Sequence, residues 1–444
     1  MKILFVLHGF PPHSTGGTER TVEALALAMI EAGHEVSILA GSLEVGPTDQ
    51  VDECEHRGMQ VLRVHRDDLY FESWWKSYHP GVSATVADVL ERVNPDVVHV
   101  HHWLRLTSDV VRLARAAGIK AVVTLHDYYP ATAQHTRLHD DTSIEVPAGS
   151  AWMTEQEAGE DFELHRRDFR AELGAADLIL APSEAHAAGI RDAVGEDLGT
   201  IVVSAPPMLA MPPPMTAAPV PGGSRLLTWG GLYPEKGLET LLDAMRAAGG
   251  DWSLRVMGMA HDPDYQRELT NFSAGLEVEF TGPFEAADLA TVEADYAVLP
   301  TLCLESYGLV VDEAQALGLP MIVSDVPAYR EHSPADATVF FPPGDAASLT
   351  MILLDPDALA KLQRPSSPSV WDAAGCAADL LGRYEAIDAR PAYSPDTELE
   401  RSRARALFRR AERRLWSALN VARNWRERGP GDDSVPLPPD DFLQ

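Results

Sequence analysis

Twenty residues near the middle of the chain, Ala205–Ser224, hold seven prolines and two glycines. Such a stretch cannot be helix or interior strand, because each proline lacks an N–H and fixes its own φ. Whatever forms must therefore form separately on either side of it. Both sides carry one pattern: short apolar runs alternate with segments whose apolar residues recur every three or four positions. Before the break the runs are Lys2–Leu7, Glu35–Ala40, Gln60–Val64, Asp96–Val100, Ala121–Leu125 and Leu178–Ala181. After it they are Arg225–Trp229, Leu254–Gly258, Val278–Gly282, Ala297–Pro300, Pro320–Ser324 and Thr338–Pro343. Strands alternating with helices predict parallel, doubly wound sheets. The expected fold class is α/β, with Rossmann-like domains over 1–205 and 225–390 facing a cleft and a hinge over 206–224. A length of 444 residues with 45% hydrophobic content suits two such cores.

Ligands of these sheets bind beyond the carboxyl ends of strands, so the loops after strands carry the chemistry. The most informative is in Tyr296–Asp325, which reads strand, polar loop, helix, strand. Glu305 precedes Gly308, and Glu313 lies in the helix that Gly308 opens and Gly318 ends. Ser306 and Gly308 are small enough to let a ligand approach the backbone. The amides of Gly308, Leu309 and Val310 then face an anion from a helix N-terminus. An anion site flanked by two carboxylate acceptors suits a ligand with phosphate at one end and hydroxyls around it, as in a nucleotide sugar.

Glu305, Glu313 and the surrounding ESYGLVVDEAQALGLPMIVSD closely resemble the donor-site signature of retaining glycosyltransferases of family 4, which have the GT-B fold. The resemblance implies that Glu305 binds donor-sugar hydroxyls and Glu313 the ribose hydroxyls. Gly16-Gly17-Thr18-Glu19, after the first strand, resembles the GG-x-E loop that sits against donor diphosphate and acceptor. Thr124–Tyr129 resembles the family's HD-x-x segment, which implies that His126 hydrogen-bonds the donor sugar near its transferring carbon. Gly230–Gly237 resembles the GRL-x-x-x-KG loop. Lys236 and Gly237 match it, whereas Gly231 occupies the position of an arginine that helps neutralise the leaving diphosphate. Another arginine reaches in, Lys236 carries the charge alone with slower turnover, or the chain is no longer a competent transferase.

Other features say less. His99, His101, His102 and Trp103 end the fourth strand, where polar groups lining a cleft are expected rather than a metal cluster. The long polar stretch Pro130–Trp152 is assigned to the acceptor side. The first loop lacks the G-x-G-x-x-G spacing of a nicotinamide site. No cofactor and no metal are expected. Three scattered cysteines suggest neither a disulfide framework nor a zinc site, and no run nears the roughly 18–20 apolar residues of a membrane span. A cytoplasmic protein is the expectation.

A formal charge of −31 argues against nucleic-acid binding, since phosphate backbones need a basic surface. Residues 401–428 run the other way, with ten arginines against two glutamates and apolar residues at helical spacing. Two readings of this 391–428 extension stand: a basic amphipathic helix packed on the acidic body, or a peripheral contact with anionic membrane holding a lipid-linked acceptor. The Pro- and Asp-rich 429–444 tail is expected to be disordered.

The sequence thus points to a retaining transferase that moves a sugar from a nucleotide-diphosphate donor to a glycan, lipid-linked or small-molecule hydroxyl. Glu305, His126 and Lys236 are the expected catalytic residues. Gly16, Gly17, Gly231, Lys236, Ser306, Gly308, Leu309, Val310 and Glu313 are the expected donor contacts. The rivals are a sugar-nucleotide epimerase on the same fold and a non-catalytic binding subunit. The first would need no acceptor, and the second would hold nucleotide weakly.

Overall fold

A computed structural model describes residues 1–68, 77–132, 137–138, 155–195, 198, 201–260, 262–388, 393 and 403–404. Its first sheet is built from β1 (Lys2–Leu7), β2 (Glu35–Val45), β3 (Val51–His56), β4 (Met59–Arg66), β5 (Val97–Val100) and β6 (Lys120–Thr124). After a two-residue β7 (Arg137–Leu138), β8 (Leu178–Ala181) and β9 (Ile201–Val203) complete it. The order is β3-β4-β2-β1-β5-β6-β8-β9, parallel throughout except that β3 pairs antiparallel with β4. The second sheet uses β10 (Arg225–Trp229), β11 (Ser253–Met257), β12 (Glu277–Gly282) and β13 (Tyr296–Leu299). A short β14 (Cys303–Leu304) follows, then β15 (Met321–Ser324) and β16 (Thr338–Phe341). Its order is β12-β11-β10-β13-β15-β16, all parallel.

The central strands explain the apolar runs. β1, β5, β13 and β15 are buried along nearly their whole length, as strands covered by helices on both faces must be. In each sheet the strand order reverses beside the first strand, at β1/β5 and at β10/β13. A crevice opens outside the carboxyl ends at each reversal, and the two crevices face one another.

Two features tie the two halves together, the first being the return of the last helix to the first half that the family resemblance implies for Cys376–Ile387. The helix Ala373–Ala386 buries Cys376, Ala377, Leu380 and Tyr384 in the core beside β1 and the Gly17–Glu31 helix, so it completes the amino-terminal half. The proline-rich segment is also only partly a free joint. Met215 donates its N–H to Leu317 O at 3.1 Å, Thr216 to Ala290 O at 2.9 Å and Val220 to Asp295 Oδ1 at 2.8 Å, which fastens its later part to the second sheet's helices and loops. The forward and returning crossings lie side by side, since Met208 N donates to Trp371 O at 3.0 Å.

Of the 391–428 extension only Tyr393, Arg403 and Ala404 are described. Tyr393 N bonds Arg115 O at 3.3 Å, and Arg403 is buried against Asp168 at 2.7 Å and over the Tyr78 ring at 3.9 Å. The rest of the expected basic helix, the 429–444 tail and most of Pro130–Trp152 lie outside the described residues. Among the described residues no helix is long and apolar enough to cross a membrane.

Candidate active site

The two crevices form one cavity of about 410 Å³ lined from both halves. The first half contributes Gly17 after β1, His101 after β5 and His126 after β6. From the second come Lys236 and the Glu305–Val310 turn with Glu313. Nine expected residues, Glu305, His126, Lys236, Gly17, Ser306, Gly308, Leu309, Val310 and Glu313, therefore meet in one place. Gly16 stands just behind, where an added Cβ would lie 2.6 Å from the Glu19 carboxylate. Gly231 does not line the cavity; Gly230 does. The Tyr233 ring covers Gly231, so that a Cβ there would meet it at 2.6 Å. Of the two glycines it is the neighbour of Gly231 that faces the cavity, and Lys236 is the one cation among the described lining residues.

The turn before the helix is shaped by backbone constraint. Gly308 caps Leu309–Leu317 at φ 89°, a left-handed conformation open to glycine, and an added Cβ would run into the Tyr329 ring. Glu305 is held just ahead of it. Its Oε1 accepts from Lys236 Nζ at 2.7 Å, Thr301 Oγ1 at 2.9 Å and Tyr329 OH at 3.5 Å. Oε2 takes none of these donors and is left to the cavity. Burial pushes the Glu305 carboxyl up, but the Lys236 ammonium and these hydrogen bonds outweigh it and leave it below the usual carboxylate range. Burial lowers Lys236, and the Glu305 charge more than restores it. The pair is ionised at neutral pH.

One helical turn on, Glu313 Oε2 accepts from Trp229 Nε1 at 2.5 Å, which leaves Oε1 for a ligand. Burial raises this carboxyl, only partly offset by the indole. On the opposite wall His126 Nε2 lies 2.8 Å from His101 Nδ1. Burial pushes His126 down to about 4, so it is neutral near pH 7. Beneath the Gly16-Gly17 turn, burial would raise Glu19, but bonds to His8 at 3.3 Å and Ser14 at 2.6 Å bring it down to about 2.

The halves also touch directly around the donor turn. Ser183 Oγ donates to Ser306 O at 2.7 Å, and β7 pairs antiparallel with β14 just before Glu305. Glu331 accepts from Glu184 N at 3.0 Å and Ala185 N at 2.5 Å, capping a first-half helix with a second-half carboxylate. Sequence reasoning missed Ser183, Trp229, Tyr329 and Glu331. Only the glycine at 308 hinted at a bulky neighbour, and nothing local marks the other contacts, which join residues far apart in the chain.

Comparison with known proteins agrees with this geometry. Residues 15–204 match the model of Glycosyltransferase Family 4, and residues 223–355 match that of Glycosyl transferases group 1. The chain belongs to the family 4 glycosyltransferases. This glycosyltransferase is 25% identical over 396 residues to a glycogen synthase of Mycobacterium tuberculosis, covering 82% of this chain and 89% of the relative. It is 25% identical over 386 residues to a phosphatidyl-myo-inositol mannosyltransferase of Mycolicibacterium smegmatis, covering 84% and 90%. Among solved structures, sucrose-phosphate synthase from Thermosynechococcus elongatus superposes with a TM-score of 0.65 at 22% identity, covering 87% of this chain and 98% of that one. The Anabaena protein HepE, in complex with UDP and glucose, gives 0.58 at 17% identity, covering 87% and 100%. At such identities these two structures support the fold, which is GT-B.

Proposed function

We propose that the enzyme moves a sugar from a nucleotide-diphosphate donor to a hydroxyl acceptor with retention at the anomeric carbon. The observation carrying this reading is the Lys236–Glu305 pair at 2.7 Å, set beside the Gly308 helix end in a cavity closed by His126 and Gly17 of the other half. Lys236 and the amides of Gly308, Leu309 and Val310 face the diphosphate, Glu305 Oε2 and His126 face the sugar, and Glu313 Oε1 faces the ribose. HepE was solved with UDP and glucose and with UDP-glucose, and starch synthase IV of Arabidopsis thaliana with ADP and acarbose, which supports a nucleotide-sugar donor.

Among the described lining residues, Glu305 is read as an acceptor for sugar hydroxyls through Oε2, its charge balanced by Lys236, and not as a nucleophile on the anomeric carbon. A front-face transfer follows. The bond from the anomeric carbon to the phosphate oxygen breaks as the acceptor oxygen bonds the same carbon. The acceptor proton goes to the leaving phosphate oxygen. The protein aligns the two substrates and stabilises the negative charge growing on the diphosphate. Lys236 and the helix amides supply that stabilisation, so transfer proceeds in EDTA.

A thermal-shift panel of UDP-, GDP- and ADP-sugars identifies the donor. Proton NMR of the product formed with a panel of hydroxyl acceptors then reads the anomeric configuration. An inverted product, or consumption of donor without any acceptor, overturns the reading. The acceptor class stays open between a glycan, a lipid-linked and a small-molecule hydroxyl; Arg403 packed on Asp168 supports the reading of 401–428 as a segment held on the acidic body, and contact with anionic membrane is its rival. On that rival, flotation with anionic liposomes is lost on removing 391–444, and unchanged flotation ends it. Three free thiols suit a reducing, cytoplasmic compartment.

A further inference from the structure

Parallel pairing of β5 with β6 brings the residues after each strand together, His101 after the first and His126 after the second. Their rings share one hydrogen bond, His101 Nδ1 to His126 Nε2 at 2.8 Å. Both rings are neutral near pH 7, because burial lowers His126 to about 4 and holds His101 well below the ordinary imidazole value. Each therefore carries one N–H, and in the shared bond one ring donates while the other accepts.

The far side of His101 decides which. His101 Nε2 is buried with no hydrogen-bond partner among the described residues. A proton there would be an orphaned buried N–H, a rarer state in folded proteins than an unused acceptor. The His101 proton accordingly sits on Nδ1 and is donated to His126 Nε2, and the single proton of His126 sits on Nδ1. The remaining ring atom, His126 Nδ1, bonds no described residue and belongs to a side chain lining the cavity. The His101 ring is itself pinned. The His99 ring lies 4.2 Å away and the Phe5 ring 5.2 Å, while His99 is tied to Tyr384 OH at 2.5 Å and Thr124 Oγ1 at 2.7 Å.

We propose that His101 is a positioning residue that fixes the tautomer of His126, so that His126 meets the donor sugar as a hydrogen-bond donor through Nδ1–H. This rests on the reading of His126 as a sugar contact. It adds that the imidazole donates to a sugar oxygen and takes no proton from the acceptor through that atom. The buried ladder from Tyr384 through His99 and His101 then has a chemical task at the cavity wall, beyond filling the core.

The first test needs no substrate. Long-range proton–nitrogen correlation spectra of the full chain with 15N-histidine, at pH 7.5, report which nitrogen of each ring bears hydrogen. His126→Asn supplies the assignment by loss of its signal. The expected pattern for His126 is a protonated Nδ1 and a bare Nε2; a protonated Nε2 overturns the proposal. In His101→Phe the His126 signals should shift toward the Nε2-protonated form, and an unchanged pattern also overturns it. The second test uses whichever of UDP-glucose, ADP-glucose or GDP-mannose raises the melting temperature. An asparagine amide nitrogen can stand near Nδ1 and that of glutamine near Nε2. His126→Asn should therefore retain donor turnover about tenfold better than His126→Gln, and the reverse order counts against the proposal. If no nucleotide sugar binds, the donor reading fails while the spectra still decide the tautomer.

Discussion

Lys236 Nζ and Glu305 Oε1 stand 2.7 Å apart across the mouth of the donor turn, and each holds the other in its charged form. Neither residue can be changed alone without altering the other's ionisation and aim. Glu305→Ala should abolish transfer while leaving nucleoside diphosphate affinity within a few fold. Lys236→Met should lower kcat by about 10²–10³, the usual loss for one donor aimed at developing charge. Steady-state kinetics with the donor found by thermal shift checks both.

The same pair sets a broad pH plateau. Lys236 is raised, so its favourable pairing is complete below the ordinary lysine value of about 10.4 and is lost as pH rises through the raised value. Glu305 is lowered, so its share is complete above about 4.3 and is lost as pH falls through the lowered value. Donor binding measured by calorimetry should be flat with respect to this pair between roughly pH 5 and 10.

Stability should behave differently from binding in acid. Burial lowers His99 to about 3 and His126, His165 and His186 each to about 4. Above their unfolded value of about 6.5 these rings cost nothing; below it the unfolded chain takes up protons that the folded chain refuses. Stability is then lost as pH falls from about 6.5 toward 4, by on the order of 1.4 kcal/mol per pH unit for each histidine. Glu172, pushed up to about 7 by burial, opposes one of them over part of that range. Urea midpoints measured from pH 7.5 to 4.5 should fall steeply, and a flat profile would contradict this account.

Gly308→Ala should damage the donor turn twice over. It puts a side chain on a left-handed φ of 89° and drives a Cβ into the Tyr329 ring. A loss of about 2–4 kcal/mol in folding stability is expected from strain and overpacking together. Chemical denaturation measures it, and nucleotide affinity should fall in parallel.

Glu313 offers a sharper ligand test. With Oε2 held by Trp229, only Oε1 is available to ribose hydroxyls. The enzyme should therefore prefer a nucleoside diphosphate over its 2′,3′-dideoxy form by about tenfold or more. Glu313→Gln should shrink that preference. Equal affinities in the parent enzyme would remove Glu313 from the ribose.

Much of the fold was legible because its central strands are buried on both faces and leave dense apolar runs, as in Lys2–Leu7 and Pro320–Ser324. The edge strand β3 was not, since Val51–His56 carries aspartate and two glutamates on a half-exposed ribbon and has no apolar face to betray it. The donor turn was legible because Glu305, Gly308 and Glu313 are local to one another. Ser183, Trp229, Tyr329 and Glu331 act only through partners brought close by folding, and one residue's spacing in a chain says nothing of these. Gly231 shows the converse: a motif position was readable, but the backbone turns Gly230 to the cavity in its place.

The helix carrying Cys376, Leu380 and Tyr384 belongs to a core whose strands all precede the proline-rich segment. Synthesis therefore delivers the first sheet long before the piece that roofs it, and one apolar flank stays uncovered until Tyr384 has emerged. A cut at the proline-rich joint would leave that flank permanently bare. The two halves are thus separable on paper by sheet but not by scissors, and any attempt to exchange one with a relative must carry this last helix along with the front half.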